Sequence, residues 1–119
     1  MKIFSLIILS VMLLKGKGCT DSEGNPIPQC IQNMVTEYQN KQPASPPPSI
    51  YEYDYKGMKV FFVRPPCCDQ FSKLYDSNCN LLGSPDGGIT GKGDGKLPDF
   101  FTERTNEVLI WKDPRMPEN

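Results

Sequence analysis

The chain has 119 residues, a length that favours a single domain. It holds 13 basic and 14 acidic side chains and no histidine. Without histidine, neither a Ser-His-Asp nor a Cys-His catalytic site can form. The cysteines lack C-x-x-C spacing, so zinc and thiol redox chemistry are also disfavoured. We therefore expect a non-enzymatic protein without a cofactor.

Residues 1–18 have the pattern of an export signal. Lys2 precedes an apolar run, Ile3 to Leu14, that is too short to span a bilayer but typical of a secretory signal core. Cys19 follows the small residue Gly18, as at a lipoprotein processing site. Lipid attachment at Cys19 and simple secretion both stay open. We expect a periplasmic or outer-surface lipoprotein anchored to the membrane through Cys19, or otherwise a secreted protein.

The charge of the mature chain argues against nucleic acid as a partner. Cleavage after residue 18 removes three basic and no acidic side chains, which leaves a net charge of −4. Nucleic-acid binding requires a clustered basic surface, and no such cluster is present. The expected partner is an unidentified envelope or extracellular molecule.

Disulfide bonds are expected to staple this small domain. A domain of about a hundred residues buries only roughly 60–70% of its unfolded surface, and export exposes its cysteines to an oxidising compartment. Adjacent cysteines rarely pair, because their Cα atoms lie about 3.8 Å apart and a disulfide usually needs 4.4 Å or more. Two pairings are left open: Cys30–Cys67 with Cys68–Cys79, or Cys30–Cys68 with Cys67–Cys79.

The order of predicted elements indicates a small α+β domain over residues 28–113. It follows a polar tether at 19–27 and precedes a C-terminal tail at 114–119. Pro28 opens a helix whose apolar residues recur at i, i+3, i+4, i+7 and i+8 up to residue 40. A stiff proline-rich connector follows. Strands are predicted at 50–55, 58–64, 71–76, 80–82 and 107–112, with a short helix at 98–105. They favour an antiparallel sheet of four to five short strands with the N-terminal helix packed on it.

Alternation in the first strand places Tyr51, Tyr53 and Tyr55 on one face. Such a stripe typically packs against a helix, and the N-terminal helix is the expected cover. If the stripe faced solvent instead, it could bind a glycan. The tight turn Lys56-Gly57 connects this strand to a second strand that is apolar on both faces.

A glycine-rich acidic loop offers the other candidate site. We expect a tightly folded loop in which glycines adopt positive φ and aspartates cap turns. A calcium or ligand site is the alternative, since carboxylates and backbone carbonyls are hard oxygen ligands. The spacing matches neither an EF-hand nor a phosphate-binding loop. The candidate residues are Asp86, Gly87, Gly88, Gly91, Gly93, Asp94, Gly95 and Asp99.

A small hydrolase is a further hypothesis, because paired carboxylates can act as acid and base. Asp69, Asp76, Asp86 and Asp94 are the candidates. We favour caps and turns for Asp69 and Asp76, since a deep cleft is not expected in so small a domain.

The stretch CCDQFSKLYDSNCNLLGSPDGGITGKGDGKLPDF follows a tyrosine-rich hairpin and precedes LIWKD. This signature resembles a family of small exported bacterial proteins that is catalogued as a domain of unknown function. The resemblance covers about residues 30–113. It implies a cell-envelope lipoprotein or a secreted protein, and it implies no activity.

Overall fold

The computed structural model describes residues 26–66 and 69–117. The expected signal at 1–18, and Cys19, Cys67 and Cys68, lie outside the described residues. No helix in the described part of the chain is long and apolar enough to cross a membrane. The elements, in chain order, are α1 (Gln29–Gln39), β1 (Ser49–Tyr55), β2 (Met58–Arg64), β3 (Lys73–Asp76), β4 (Leu81–Gly83), α2 (Phe100–Glu103) and β5 (Thr105–Lys112). The predicted α+β class is confirmed.

The five strands form one antiparallel sheet in the order β4-β3-β2-β1-β5. The β1–β2 hairpin turns through Lys56 and Gly57, whose φ angles of 49° and 76° are those of the turn that suits a two-residue hairpin. In β2 four consecutive side chains, Val60 to Val63, are buried. The prediction that β2 is buried on both faces is confirmed. Its burial arises because residues pack on both sides of the sheet.

Helix α1 covers one face of the sheet. Its buried Ile31 packs with Ile50, Phe61 and Val63 in one apolar cluster. Tyr38 of α1 stacks on Trp111 of β5, with ring centroids 6.0 Å apart. The helix therefore lies over the residues of β1 and β2 that alternate with the tyrosine stripe.

The tyrosine stripe faces the other side, and α2 covers it. Tyr53 and Tyr55 are each 3% exposed and pack with Phe62 and Phe100. The prediction that the stripe belongs to the core is confirmed for Tyr53 and Tyr55, whereas Tyr51 is only partly buried. The prediction that the N-terminal helix covers the stripe is wrong. Since side chains alternate along a strand, Ile50 and the tyrosines must face opposite layers. The tyrosine hydroxyls also need polar partners when buried, and the residues around α2 supply them.

The disulfide joins Cys30 to Cys79, so both predicted pairings of Cys30 are wrong. The Cα atoms of the two residues lie 6.0 Å apart. Cys79 adopts φ 67° in the turn between β3 and β4, and the first turn of α1 lies beside it. The prediction assumed both that all four cysteines pair within the chain and that adjacent cysteines do not, and a Cys30–Cys79 bond is incompatible with holding both assumptions. The bond still does what was expected of it, which is to attach the N-terminal helix to the sheet.

Candidate ligand site

Two tyrosine hydroxyls attach the segment around α2 to the sheet. The Tyr53 hydroxyl donates to Glu107 Oε1 at 2.5 Å and accepts from Arg104 Nη1 at 3.0 Å. The Arg104 guanidinium lies 4.8 Å from the ring centroids of both Tyr53 and Phe101. Burial, and then the bond to Glu107, raise the pKa of Tyr53 to about 12. This cluster thus keeps α2 in place rather than forming an open site.

Asp99 likewise attaches the segment around α2 to the sheet, at the Tyr55 end of the tyrosine stripe. The Tyr55 hydroxyl donates to Asp99 Oδ1 at 2.5 Å, and Lys56 Nζ lies 2.9 Å from Asp99 Oδ2. These two contacts, Tyr55 first, lower the pKa of the Asp99 carboxyl. Both carboxylate oxygens of Asp99 therefore already have partners.

The glycine-rich loop folds back on the residues that precede β3 and on its own beginning. A side chain at Gly87 would collide with the Gln70 carbonyl oxygen, and one at Gly93 with the Ser84 carbonyl oxygen. Only glycine allows these close approaches at positive φ. The expectation of positive φ is confirmed at all five candidate glycines: Gly87, Gly88, Gly91, Gly93 and Gly95.

Asp94 caps this loop, as expected. Its carboxylate accepts from the backbone N–H groups of Ser84 and Lys96, each at 3.0 Å. These bonds, with Lys96 the larger cause, lower its pKa. Within residues 26–66 and 69–117, no three Cys, Asp or Glu side chains lie close enough to hold a metal ion. Asp86, Asp94 and Asp99 therefore do not converge on one point.

The hydrolase candidates do not converge either. The Asp76 carboxylate accepts from the backbone N–H groups of Asn78 and Asn80, each at 2.9 Å, which makes it the expected turn cap. The Asn80 contact is the larger cause of its lowered pKa. Asp69 and Asp86 line two different cavities.

The cavity that contains Asp86 lies at the end of the sheet, on the same face as the tyrosine stripe. Its volume is about 300 Å³. Ser49 and Tyr51 of β1 contribute to its lining, and so do Asp86 and Gly87 of the glycine-rich loop. Tyr51 is half-buried, so it is the member of the stripe that a ligand can still reach. The lining also includes Pro46 and Pro47 of the proline-rich connector, and Pro65 and Gln70 of the connection between β2 and β3.

We call this cavity the sheet-end pocket. Two basic side chains, Arg64 and Lys112, line it. Ser49 pairs directly with Arg64 of β2 on one side and with Lys112 of β5 on the other. Directly opposed residues of antiparallel strands project from the same face. Both cations therefore lie on the tyrosine side, and both line the pocket.

A second cavity of about 520 Å³ lies between α1 and the connection from β2 to β3. Tyr38, Tyr75 and Phe71 line much of it. It also includes Pro65 and Asp69, which lie on either side of the undescribed pair at 67–68. Its charged lining residues balance, with Glu37 and Asp69 against Lys41 and Lys73, and Lys41 already pairs with Glu37, so we base no site on it.

The structure thus brings together three residues that the sequence analysis named, Tyr51, Asp86 and Gly87. It adds two that the analysis missed, Arg64 and Lys112. Little in the sequence indicated that these two residues would line a pocket, because each is simply the basic residue that ends an apolar strand. Their proximity depends on β1 lying between β2 and β5.

The fold is that of a small, disulfide-stapled α+β domain with a cavity lined by charged side chains at one end of its sheet. A protein-family model described as a domain of unknown function (DUF6970) matches residues 36–113. The chain belongs to that family. Comparison with curated proteins and with solved structures found no match.

Proposed function

We propose that the protein is exported to the cell envelope and acts there by binding, without catalysing a reaction. The observation that carries the proposal is the Cys30–Cys79 disulfide. Such bonds persist in oxidising compartments and are rare in the reducing cytosol. The apolar run after Lys2 and the small residue before Cys19 also support export.

The chemistry of the described residues supports binding rather than catalysis. The chain has no histidine to serve as a general base. Asp76, Asp94 and Asp99 are occupied in turns and hydroxyl contacts. What the domain offers to solvent is a polar cavity with Asp86 as the carboxylate in its lining.

A carbohydrate-binding role through the whole tyrosine stripe is not supported. Tyr53 and Tyr55 are each 3% exposed, so neither ring can stack on a sugar. Tyr51, which is only partly buried, lines the sheet-end pocket. The calcium alternative lacks support as well, because the Asp94 and Asp99 carboxylates already accept hydrogen bonds.

Export is tested by expressing the full chain in a bacterial host and fractionating the cells. We expect the protein in the envelope fraction, with a mass that shows loss of residues 1–18. A Cys19→Ser variant separates the two modes of export, since only a lipid-anchored protein would change its processing and membrane retention. Recovery of the uncut chain in the cytoplasm with reduced thiols would contradict the proposal.

A further inference from the structure

We propose that the sheet-end pocket binds the carboxylate or phosphate group of a small hydroxylated ligand. The inference rests on the proposed binding role and assigns a ligand chemistry to it. The pocket brings two cations, Arg64 and Lys112, together with one carboxylate, Asp86, which leaves a formal excess of one positive charge. The whole chain has a net charge of −1, so this local excess is not a general property of its surface.

The strand register holds the two cations on either side of the pocket base. Arg64 and Lys112 both pair with Ser49 on the central strand of the three. Their backbones are therefore two strand spacings apart, or about 10 Å. Long side chains that start at this separation can reach one anion placed above Ser49. Arginine offers a bidentate fork to carboxylate or phosphate, and lysine adds a point charge.

Neither cation is neutralised within the described part of the chain. Ion pairs are formed there by Lys41, Lys56, Lys59 and Arg115. No described carboxylate comes within 4.0 Å of a nitrogen of Arg64 or Lys112. Asp86 lines the same cavity but remains outside that distance. The charges therefore remain available to a ligand.

The part of the pocket that the glycine-rich loop forms is held in place before any ligand arrives. The Ser72 backbone N–H and hydroxyl both donate to the Asp86 carbonyl oxygen at 3.1 Å, and the Asp86 N–H donates back to the Ser72 hydroxyl oxygen at 3.1 Å. Gly87 packs against the Gln70 carbonyl so closely that no side chain fits. Preorganisation of this kind lowers the entropy cost of binding.

The size and the remaining lining indicate what accompanies the anionic group. A cavity of about 300 Å³ lies at the lower end of the range for small-molecule sites, about 300–1,000 Å³. Tyr51 offers an aromatic surface and a hydroxyl, and the Asp86 carboxylate can accept from a ligand hydroxyl. A sugar acid or a small phosphorylated polyol has these features.

The test is calorimetric titration of the full-chain protein with D-glucuronate, inorganic phosphate and glucose. We expect heat of binding from at least one anion and none from glucose. Binding of glucuronate alone would assign the site to carboxylates, and binding of phosphate alone to phosphates. No response to either anion, or an equal response to glucose, would overturn the proposal.

Variants then locate the site. Arg64→Gln and Lys112→Gln should each weaken anion binding about tenfold or more, because each removes a charged hydrogen-bond donor. Lys92→Gln changes the net charge equally but lies outside the pocket lining, so it should leave the affinity unchanged. Asp86→Asn should strengthen anion binding, because it removes the like charge while the amide oxygen can still accept from a ligand hydroxyl. Equal losses in all three cation variants, or weaker binding in Asp86→Asn, would overturn the assignment. The export assay does not depend on any of these outcomes.

Discussion

Phe100 is the residue on which the cover of the tyrosine stripe depends. Helix α2 has only four residues, too few to be stable without packing. The Phe100 side chain is fully buried, with ring centroids 5.6 Å from Tyr53, 5.4 Å from Tyr55 and 5.3 Å from Phe62. A phenylalanine buries about 200 Å² or more, which corresponds to about 5 kcal/mol at 25 cal/mol per Å². Measured Phe→Ala losses of about 3–5 kcal/mol agree with that figure. We expect Phe100→Ala to lower the free energy of unfolding by about 3–5 kcal/mol.

The adjacent Phe101 provides the control, because it is 42% exposed. Phe101→Ala should cost less than half as much, about 1–2 kcal/mol. Urea unfolding of the oxidised protein, followed by fluorescence of the single tryptophan, Trp111, measures both. If Phe100→Ala does not fold, Phe100→Leu should still lose about 1–2 kcal/mol. Equal losses for the two alanine variants would refute the placement of α2 over the stripe.

Three further outcomes are expected. Replacing Cys30 and Cys79 by serine should lower the free energy of unfolding by about 4 kcal/mol, because the bond spans 49 residues of sequence. A non-reducing peptide map that lacks the Cys30–Cys79 link would contradict this expectation. The pKa of Asp99 is lowered in the folded state, so its contribution to stability is present above the unfolded pKa and is lost as the pH falls through the folded pKa. Unfolding measured against pH should show this acid loss in the parent chain and a smaller one in Asp99→Asn. Gly93→Ala should destabilise the protein by about 3 kcal/mol or more, and Gly95→Ala by about 1 kcal/mol. Both residues have positive φ, but only at Gly93 would the added Cβ atom collide with the backbone. Equal melting temperatures for the two variants would contradict this reasoning.

Local patterns in the chain predicted the elements well. The alternation in β1, the Lys56-Gly57 turn and the apolar run of β2 all lie where they were expected. The N-terminal helix was predicted within a residue at each end. These features depend on neighbours close in sequence, such as side-chain periodicity and the positive φ that a tight turn requires. Strand β5 begins two residues before its predicted start.

Contacts between residues that are far apart in the sequence could not be predicted from such local patterns. Arg115 lies in the expected C-terminal tail, yet it donates to the carbonyl oxygens of Tyr38 and Gln39 at the end of α1. It also forms an ion pair with the buried Asp113. No local pattern relates residues so far apart in the chain. The Cys30–Cys79 bond is another contact of this kind.

Composition and periodicity established the elements, their apolar faces and the need for a covalent staple, because these depend on residue type and on spacing of a few positions. The tertiary structure decided which layer covers each face, which cysteines meet, and that Arg64 and Lys112 lie on either side of Ser49. Those outcomes depend on the order of strands in the sheet. Many orders bury the same apolar side chains, but Arg64 and Lys112 flank Ser49 only where β1 lies between β2 and β5.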